Sequence, residues 1–452
     1  MQADSLPKNR PTVTSRPAYI YRQRHSFFQT ERVVYGLVLI ALLFSLLPTG
    51  LSWEINKTPD MLEGSWIRRV QWVSLYALTF FILAKAKFAN IFLYVATNPF
   101  IFGLLAFVIL SFAWSDFSNI VIRQGIQYIG ILAIAILCAH TFSNNFTELF
   151  SGCLYVLLAV FVSSVILVLV NPTIALEVDA GIEGAWRGVM EHKNLLGIAC
   201  GVSLLIWTVI TAEGKHPVWF NIFGLILILI CLIQTKSSTS LFFGVTSSVL
   251  FIFLHKEHIK SKLFIFRVTI ALLLFISALS LVFFVINDHF PMPSDFLAPF
   301  SALFGKGSDL TGRGDIWIYM RQSIESHPWL GVGYASFWLG IGGPSQYISD
   351  ALKWNIPSAH NGYLDLLNEL GIIGFSLFVL QLIFHVKNLI FMFSIRRAEA
   401  AFHFCLLYIF LVSNSSESQA LRVTSFLQFI VFISILMVHH FTYSNQLLHA
   451  KK

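Results

Sequence analysis

A histidine set where a polar stretch meets an apolar one is well placed for acid–base chemistry, and this chain has one at His360. It lies in P-S-A-H-N-G-Y-L-D-L-L-N-E-L-G-I-I-G, Pro357 to Gly374, where the polar segment Asp288 to Ala359 runs back into a strongly apolar helix. A neutral imidazole there can take a proton from a hydroxyl near neutral pH, because its ordinary pKa of about 6.5 lies close to the working range. The plainer alternative is that His360 only caps the helix or meets a phospholipid headgroup, and spacing alone leaves both open. Behind it Asn361, Asp365 and Asn368 recur at helical spacing with Glu369 beside them, so a polar stripe is expected along the start of that helix, with Asp365 a secondary candidate.

Two arginines could serve the same centre. Arg187 stands in G-A-W-R-G-V-M-E-H-K-N and Arg313 in L-T-G-R-G-D-I-W. A guanidinium fork binds two oxygens at once and stays charged at any relevant pH, which suits a diphosphate. Each could instead make an ordinary carboxylate contact, Arg313 with Asp315 or Glu325 and Arg187 with Glu183 or Glu191. Arg321 and Lys193 either add positive charge to the same pocket or face water and headgroups. His192 reads as a solvated loop histidine, Arg123 as a side chain snorkelling to the outer interface, and Glu417 with Arg422 as an ion pair flanking the last external turn. Glu54, Asp60 and Glu63 in the first external loop form no D-x-D pair, so no metal is expected. There is no P-loop, GxGxxG, heptad array or internal repeat, and no cofactor is expected.

The elements that must position these groups follow from composition. Of 452 residues, 56% are hydrophobic and 12% charged, with 44 Phe, more apolar surface than a soluble globule can hide. The fold class is therefore an all-α polytopic membrane protein. The net charge of +7 reads as orientation in the membrane and not as nucleic-acid binding. The five cysteines all fall in apolar runs without CxxC spacing and read as packing residues.

Apolar runs at 33–51, 70–84, 98–114, 120–140, 149–170, 193–211, 218–234, 240–254, 263–286, 361–391, 399–413 and 423–440 predict about twelve transmembrane helices. Starting inside, alternation puts Lys85, Lys87, Lys215, the basic run at 255–262, Arg396, Arg397, Lys451 and Lys452 in the cytoplasm, in accord with the positive-inside rule. The expected order is a cytoplasmic tail (1–32, disordered), nine helices (33–287), a large external loop (288–359), three helices (360–440) and a cytoplasmic tail (441–452). The loop carries a helix over Arg313 to Ser326, with Ser308, Asp309 and Thr311 as possible caps and Pro328 as its stop. The aromatic segment Trp329 to Trp338 is expected to lie on the membrane surface or cover a groove.

Five motifs in order resemble a known family. A-H-N-G-Y-L-D-L-L-N-E-L-G-I-I-G (359–374), L-T-G-R-G-D-I-W (310–317), H-P-W-L-G-V-G-Y-A-S-F-W (327–338), F-A-W-S-D (112–116) and W-R-G-V-M-E-H-K-N-L-L-G (186–197) are similar to the signature regions of the O-antigen ligase and polymerase superfamily of bacterial inner membranes, closest to its exopolysaccharide polymerases. The resemblance implies an inverting, metal-independent glycosyltransferase acting on the periplasmic face. Its donor would be a glycan on undecaprenyl diphosphate, its acceptor a glycan or lipid A core, and membrane lipids its surroundings. It implies that His360 activates the acceptor hydroxyl and that Arg187 and Arg313 hold the donor diphosphate. A ligase moving finished polymer is the other branch of the same reading. A lipid-linked oligosaccharide flippase or transporter is the rival of another class, and should show repeated halves and Gly/Pro-broken helices, neither of which the sequence reveals.

Overall fold

The computed structural model describes residues 18–48, 66–85, 91–143, 145–178, 182–214, 216–255 and 313–450. Its regular structure among the described residues is helical, with one isolated antiparallel bridge between Leu176 and Trp186. Composition dictates this: in lipid a backbone N–H or C=O finds no water, so an apolar run must close its hydrogen bonds within itself. The order is α1 (Ala18–Leu46), α2 (Trp66–Lys85), α3 (Ile91–Thr97), α4 (Pro99–Leu110), α5 (Ser118–Phe142), α6 (Phe146–Val170), α7 (Pro172–Ala175), α8 (Lys193–Ala212), α9 (Val218–Gln234) and α10 (Ser238–His255). After the undescribed stretch come α11 (Arg313–Ser326), α12 (Gln346–Leu352), α13 (Gly362–Phe393), α14 (Arg397–Asn414) and α15 (Phe426–Ala450).

Among the described residues, seven helices are long and apolar enough to cross a membrane: α2, α5, α6, α8, α10, α13 and α15 as far as Gln446. The stretches Pro99–Ala113 and Val218–Gln234 are apolar but shorter. Helices also occupy the 33–51 run up to Leu46 and the 399–413 run, while the run at 263–286 lies outside the described residues. Two boundaries differ from expectation. α1 begins at Ala18, within the tail expected to be disordered, and α15 continues to Ala450, through the tail expected after 440. Apolar runs mark where a helix is buried; propagation past that point adds one hydrogen bond per residue fixed. The run at 98–114 is not continuous with what precedes it: Asn98 leaves helical geometry between α3 and α4, and Pro99 opens α4 where its missing N–H is no loss.

One hydrophobic core runs through the bundle, with α5 on α15, α8 on α9 and α10, α10 on α14, and α13 on α4 and α14. All five cysteines are buried and form no disulfide.

Above the bundle sits a second, smaller core. Ile316 and Met320 of α11 are buried with Phe337, Trp338, Ile348 and Ile356, and Trp317 and Ile324 pack against them. The helix at 313–326 matches the sequence expectation, and its proposed caps Ser308, Asp309 and Thr311 lie outside the described residues. α12 was not foreseen; seven residues closed by a left-handed Lys353 (φ 63) are too few to show a period.

The segment expected to lie on the membrane surface or cover a groove is built into the protein. Tyr334, Phe337 and Trp338 are buried, and Trp329 and Leu330 are the exposed apolar residues of that stretch. The cause is a break in α13. Gly371 leaves helical geometry (φ 62, ψ −168), about 13 Å along the axis from the start of the helix. The loop at 328–333 takes up the freed groups: Ile372 and Ile373 N–H donate to the carbonyls of Pro328 (2.8 Å) and Trp329 (3.2 Å), and Val332 and Gly333 N–H donate to those of Asn368 (3.0 Å) and Glu369 (2.9 Å). Two glycines permit this approach. A Cβ on Gly371 would meet the Trp329 backbone at 2.3 Å, and one on Gly331 would meet the Glu369 backbone at 2.4 Å. The sequence showed no broken helix because a lone glycine in an apolar run is compatible with continuous helix.

Candidate active site

Four chain segments meet at one end of the bundle around one carboxylate, Glu417, in the turn between α14 and α15. Arg313, the first residue of α11, donates from Nη2 to Glu417 Oε1 at 2.7 Å. Asn194, in the first turn of α8, donates from Nδ2 to the same oxygen at 2.6 Å. The other oxygen, Oε2, lies 3.3 Å from His360 Nδ1. Arg313, His360 and Glu417 side chains are 17%, 19% and 16% exposed, so the cluster is sheltered yet reachable from solvent. Burial alone would raise the Glu417 pKa, but the Arg313 and His360 charges outweigh it and hold the carboxyl at about 2. An ionised carboxylate can only accept, so the neutral imidazole carries its proton on Nδ1 and leaves Nε2 as a base.

His360 is fixed by its neighbours. Its φ of +49 is in the left-handed region, which costs a side-chain-bearing residue about 1–2 kcal/mol and persists only where surroundings enforce it. Here Ala359 donates its N–H to Asp365 Oδ1 (3.2 Å), and its carbonyl accepts from Trp317 Nε1 (2.9 Å). On the other side Asn361 caps α13, its Oδ1 accepting from the N–H of Tyr363 (3.1 Å) and Leu364 (3.2 Å). The small outer core thereby holds the histidine still.

The sequence candidates divide. His360 and Arg313 share Glu417, and Arg313 pairs with neither Asp315 nor Glu325 as its plainer reading had it. Arg187 lies on the neighbouring loop. Its Nε donates to the Ile174 carbonyl (2.7 Å) and its Nη1 to that of Glu191 (3.5 Å), so its partners are backbone and not the carboxylates of Glu183 or Glu191. Its Nη2 is buried with no partner among the described residues. The same loop reaches the cluster through His192, which caps α8 by accepting from Asn194 N–H (3.2 Å). His192 sits 3.7 Å from Glu177 and near enough to Glu417 and His360 to feel their charges; burial lowers its pKa. Its side chain is 42% exposed, in keeping with the solvated loop histidine expected, and it caps α8 as well.

Of the secondary candidates, Arg321 and Asp365 have partners away from Glu417, and Lys193 lies buried at the start of α8. Arg321 pairs with Glu325 at 2.6 Å, both well exposed on the outer side of α11. Lys193 is buried at 5% exposure, with its backbone N–H on Glu177 (2.7 Å). Asp365 is buried and engaged, accepting from Trp338 Nε1 (2.6 Å) and Ala359 N–H and pairing with Arg422 (3.0 Å). The polar stripe of α13 thus faces inward and holds the cap. Arg422 also lies 3.2 Å from Glu369, whose other oxygen accepts from Ala335 N–H (2.9 Å). The expected Glu417–Arg422 pair does not form, because each turns to a different partner set. Glu417 and Asn194 were missed as site residues: their link to His360 spans 57 and more positions, and no local spacing announces it.

The comparisons with known proteins bear on the same region. The O-antigen ligase family model matches residues 223–379, a stretch that holds Arg313 and His360. An exopolysaccharide production protein of Rhizobium meliloti (strain 1021), ExoQ, is 23% identical over 299 residues, covering 64% of this chain. The chain in turn spans 64% of that relative's length.

Proposed function

As the chain belongs to the O-antigen ligase and polymerase superfamily, on its exopolysaccharide side, we propose that it is a membrane glycosyltransferase that extends polysaccharide from lipid-linked units. The donor is an oligosaccharide on undecaprenyl diphosphate, the acceptor a hydroxyl of another glycan, and the site opens to the periplasm at the outer face of the bacterial inner membrane. What carries this reading is the convergence of His360 and Arg313 on Glu417, a base and a fixed cation at the outer rim of an apolar bundle.

The chemistry follows from the groups present. His360 Nε2 takes the proton of the acceptor hydroxyl while Glu417, held on Nδ1, fixes the tautomer and stabilises the imidazolium that forms. The acceptor oxygen bonds to the sugar's anomeric carbon from the face opposite the carrier, and the carbon–oxygen bond to the diphosphate breaks, the electron pair leaving with the phosphate. Inversion results from this single displacement. Diphosphate is a good leaving group, so the protein's contribution is alignment and anion stabilisation more than general acid. Arg313 supplies the charge, and Arg187, with a guanidinium nitrogen unpartnered among the described residues, would supply a second. In the unliganded cluster the Glu417 carboxylate occupies the position on Arg313 that a phosphate oxygen takes when donor binds.

The test is turnover of lipid-linked repeat units by protein purified into nanodiscs. His360→Ala abolishes transfer with the protein still folded, and wild-type turnover by that variant removes the assignment. A deletion strain that loses long polymer while retaining single units identifies a polymerase; polymer stranded on its carrier identifies a ligase.

A further inference from the structure

We propose that a cavity at the far end of α11 from Arg313 is a holding site for a neutral stretch of the glycan chain. This rests on the reading above that the substrate is a glycan. The cavity measures about 590 Å³, within the range of small-molecule sites, and is formed by the C-terminal end of α11, the loop that follows it and the turn before α5.

Its walls have the chemistry of a sugar site. Trp114, Phe117, Trp329 and Tyr347 provide flat apolar faces, against which the C–H face of a sugar ring can stack. Asp116, Gln322 and His327 stand between them, and among the described residues no other residue engages their side chains. These supply the acceptors and donors that a ring of hydroxyls requires. Two further observations point to a ligand. Trp329 is 64% exposed, a large aromatic left uncovered on the rim. The indole N–H of Trp114 is buried with no acceptor among the described residues, although nearly all buried donors in proteins are satisfied.

Charge separates this cavity from the diphosphate centre. No Lys or Arg lines it among the described residues, and Asp116 does, so a phosphate or an anionic headgroup is disfavoured while an uncharged polyol is not. Distance separates it too: Arg313 and Ser326 are the two ends of α11, about 20 Å apart along the axis. A donor anchored at Arg313 reaches the cavity only with sugars well removed from its reacting carbon. The cavity is thus suited to gripping the strand between additions.

The experiment uses the full chain in nanodiscs and a defined probe: lipid-free oligosaccharide fragments, sorted by length, from acid hydrolysis of the producing strain's own polymer. Calorimetry is expected to show fragments binding the wild type and His360→Ala alike, and binding Trp329→Ala about tenfold more weakly, with Trp329→Phe restoring most of the loss. Trp329→Ala and Gln322→Ala should also shorten the polymer while the first addition proceeds at the wild-type rate. Because both side chains are exposed, these variants fold, as a thermal melt will verify. Equal fragment affinity in wild type and Trp329→Ala overturns the proposal, as does displacement of fragments by anionic phospholipid. The two readings fail separately. Trp329-dependent binding with turnover intact in His360→Ala keeps the cavity and removes the base, and the converse result does the reverse.

Discussion

Two arginine–carboxylate networks stand at the same end of the bundle, and their carboxylates differ in burial. Arg422 lies against two nearly inaccessible carboxylates, Asp365 and Glu369, at 3.0 and 3.2 Å. Those carboxylates are in turn committed to Trp338, Ala359 and Ala335, and so tie the cap and the re-entering loop to α13. Arg313 and Glu417, by contrast, are each about one-sixth exposed, and their third partner is an imidazole. A carboxylate as inaccessible as Asp365 or Glu369 is costly to strip of its cation, whereas the partly hydrated Glu417 carboxylate can give up Arg313 to another anion at small cost. The same residue types therefore serve as a clamp in one place and as a displaceable contact in the other.

Breaking the clamp should have the largest effect. Arg422→Ala leaves two buried carboxylates facing each other, and a loss of about 3–5 kcal/mol is expected for removing one partner of such a network. At that scale the variant should accumulate poorly and melt far below the wild type in detergent. Burial by itself would lower the Arg422 pKa, yet Glu369 and Asp365 raise it, so the guanidinium stays charged at every pH the protein meets. An Arg422→Ala protein that melts like the wild type would erase the distinction between the two networks.

Breaking the displaceable cluster should spare the fold and remove the chemistry. His360→Ala is expected to lower turnover by roughly 10²–10⁴-fold, the usual worth of a positioned base, with the melting curve little changed. Arg313→Ala should weaken donor binding as well as turnover. Arg313→Lys, which keeps charge but loses the fork, should recover only part of it, because a point charge does not grip two oxygens. Steady-state kinetics on lipid-linked units measure both. Glu417→Gln should fall lower in the series, at about 10–100-fold in turnover, since the amide still meets Nδ1 but no longer fixes one tautomer or stabilises the imidazolium. Because it also removes the internal anion from Arg313, donor affinity should stay level or improve while the maximal rate drops. A fall in affinity equal to the fall in rate contradicts the displaceable role.

The contrast also marks what could be read without coordinates. Local patterns were legible. The helix Arg313–Ser326 shows in its apolar stripe and its following proline, and His360 in the switch from polar to apolar sequence. Long-range pairings were not. Glu417 sits in S-S-E-S, a turn with nothing to tie it to residues 57 and 104 positions upstream, and its nearest opposite charge in sequence, Arg422, was the wrong partner. The break at Gly371 exists because the 328–333 loop satisfies it, so no feature of α13 alone could announce it. The inward face of Asp365 has the same origin. A helical stripe says which residues share a side but not what covers that side.

The smallest expected effect sharpens the comparison most finely, because it isolates Glu417 from the rest of the cluster. Its carboxyl is held at about 2 against an ordinary 4.5. A carboxyl whose pKa is lower in the folded protein than in the unfolded chain contributes stability that is fully present above the unfolded value and fades as pH falls through the folded one. The contribution should therefore be constant from neutral pH down to about 4.5 and be lost between about 4.5 and 2. Comparing wild type with Glu417→Gln, the gap in melting temperature should be a few degrees at pH 6 and should shrink as pH falls through that window. The Arg422 clamp is present in both proteins, so its own titration cancels from the gap. A gap that stays unchanged down to pH 2.5 would mean that the Arg313–Glu417 contact adds nothing to folding, and that the cluster is held together by the cap alone.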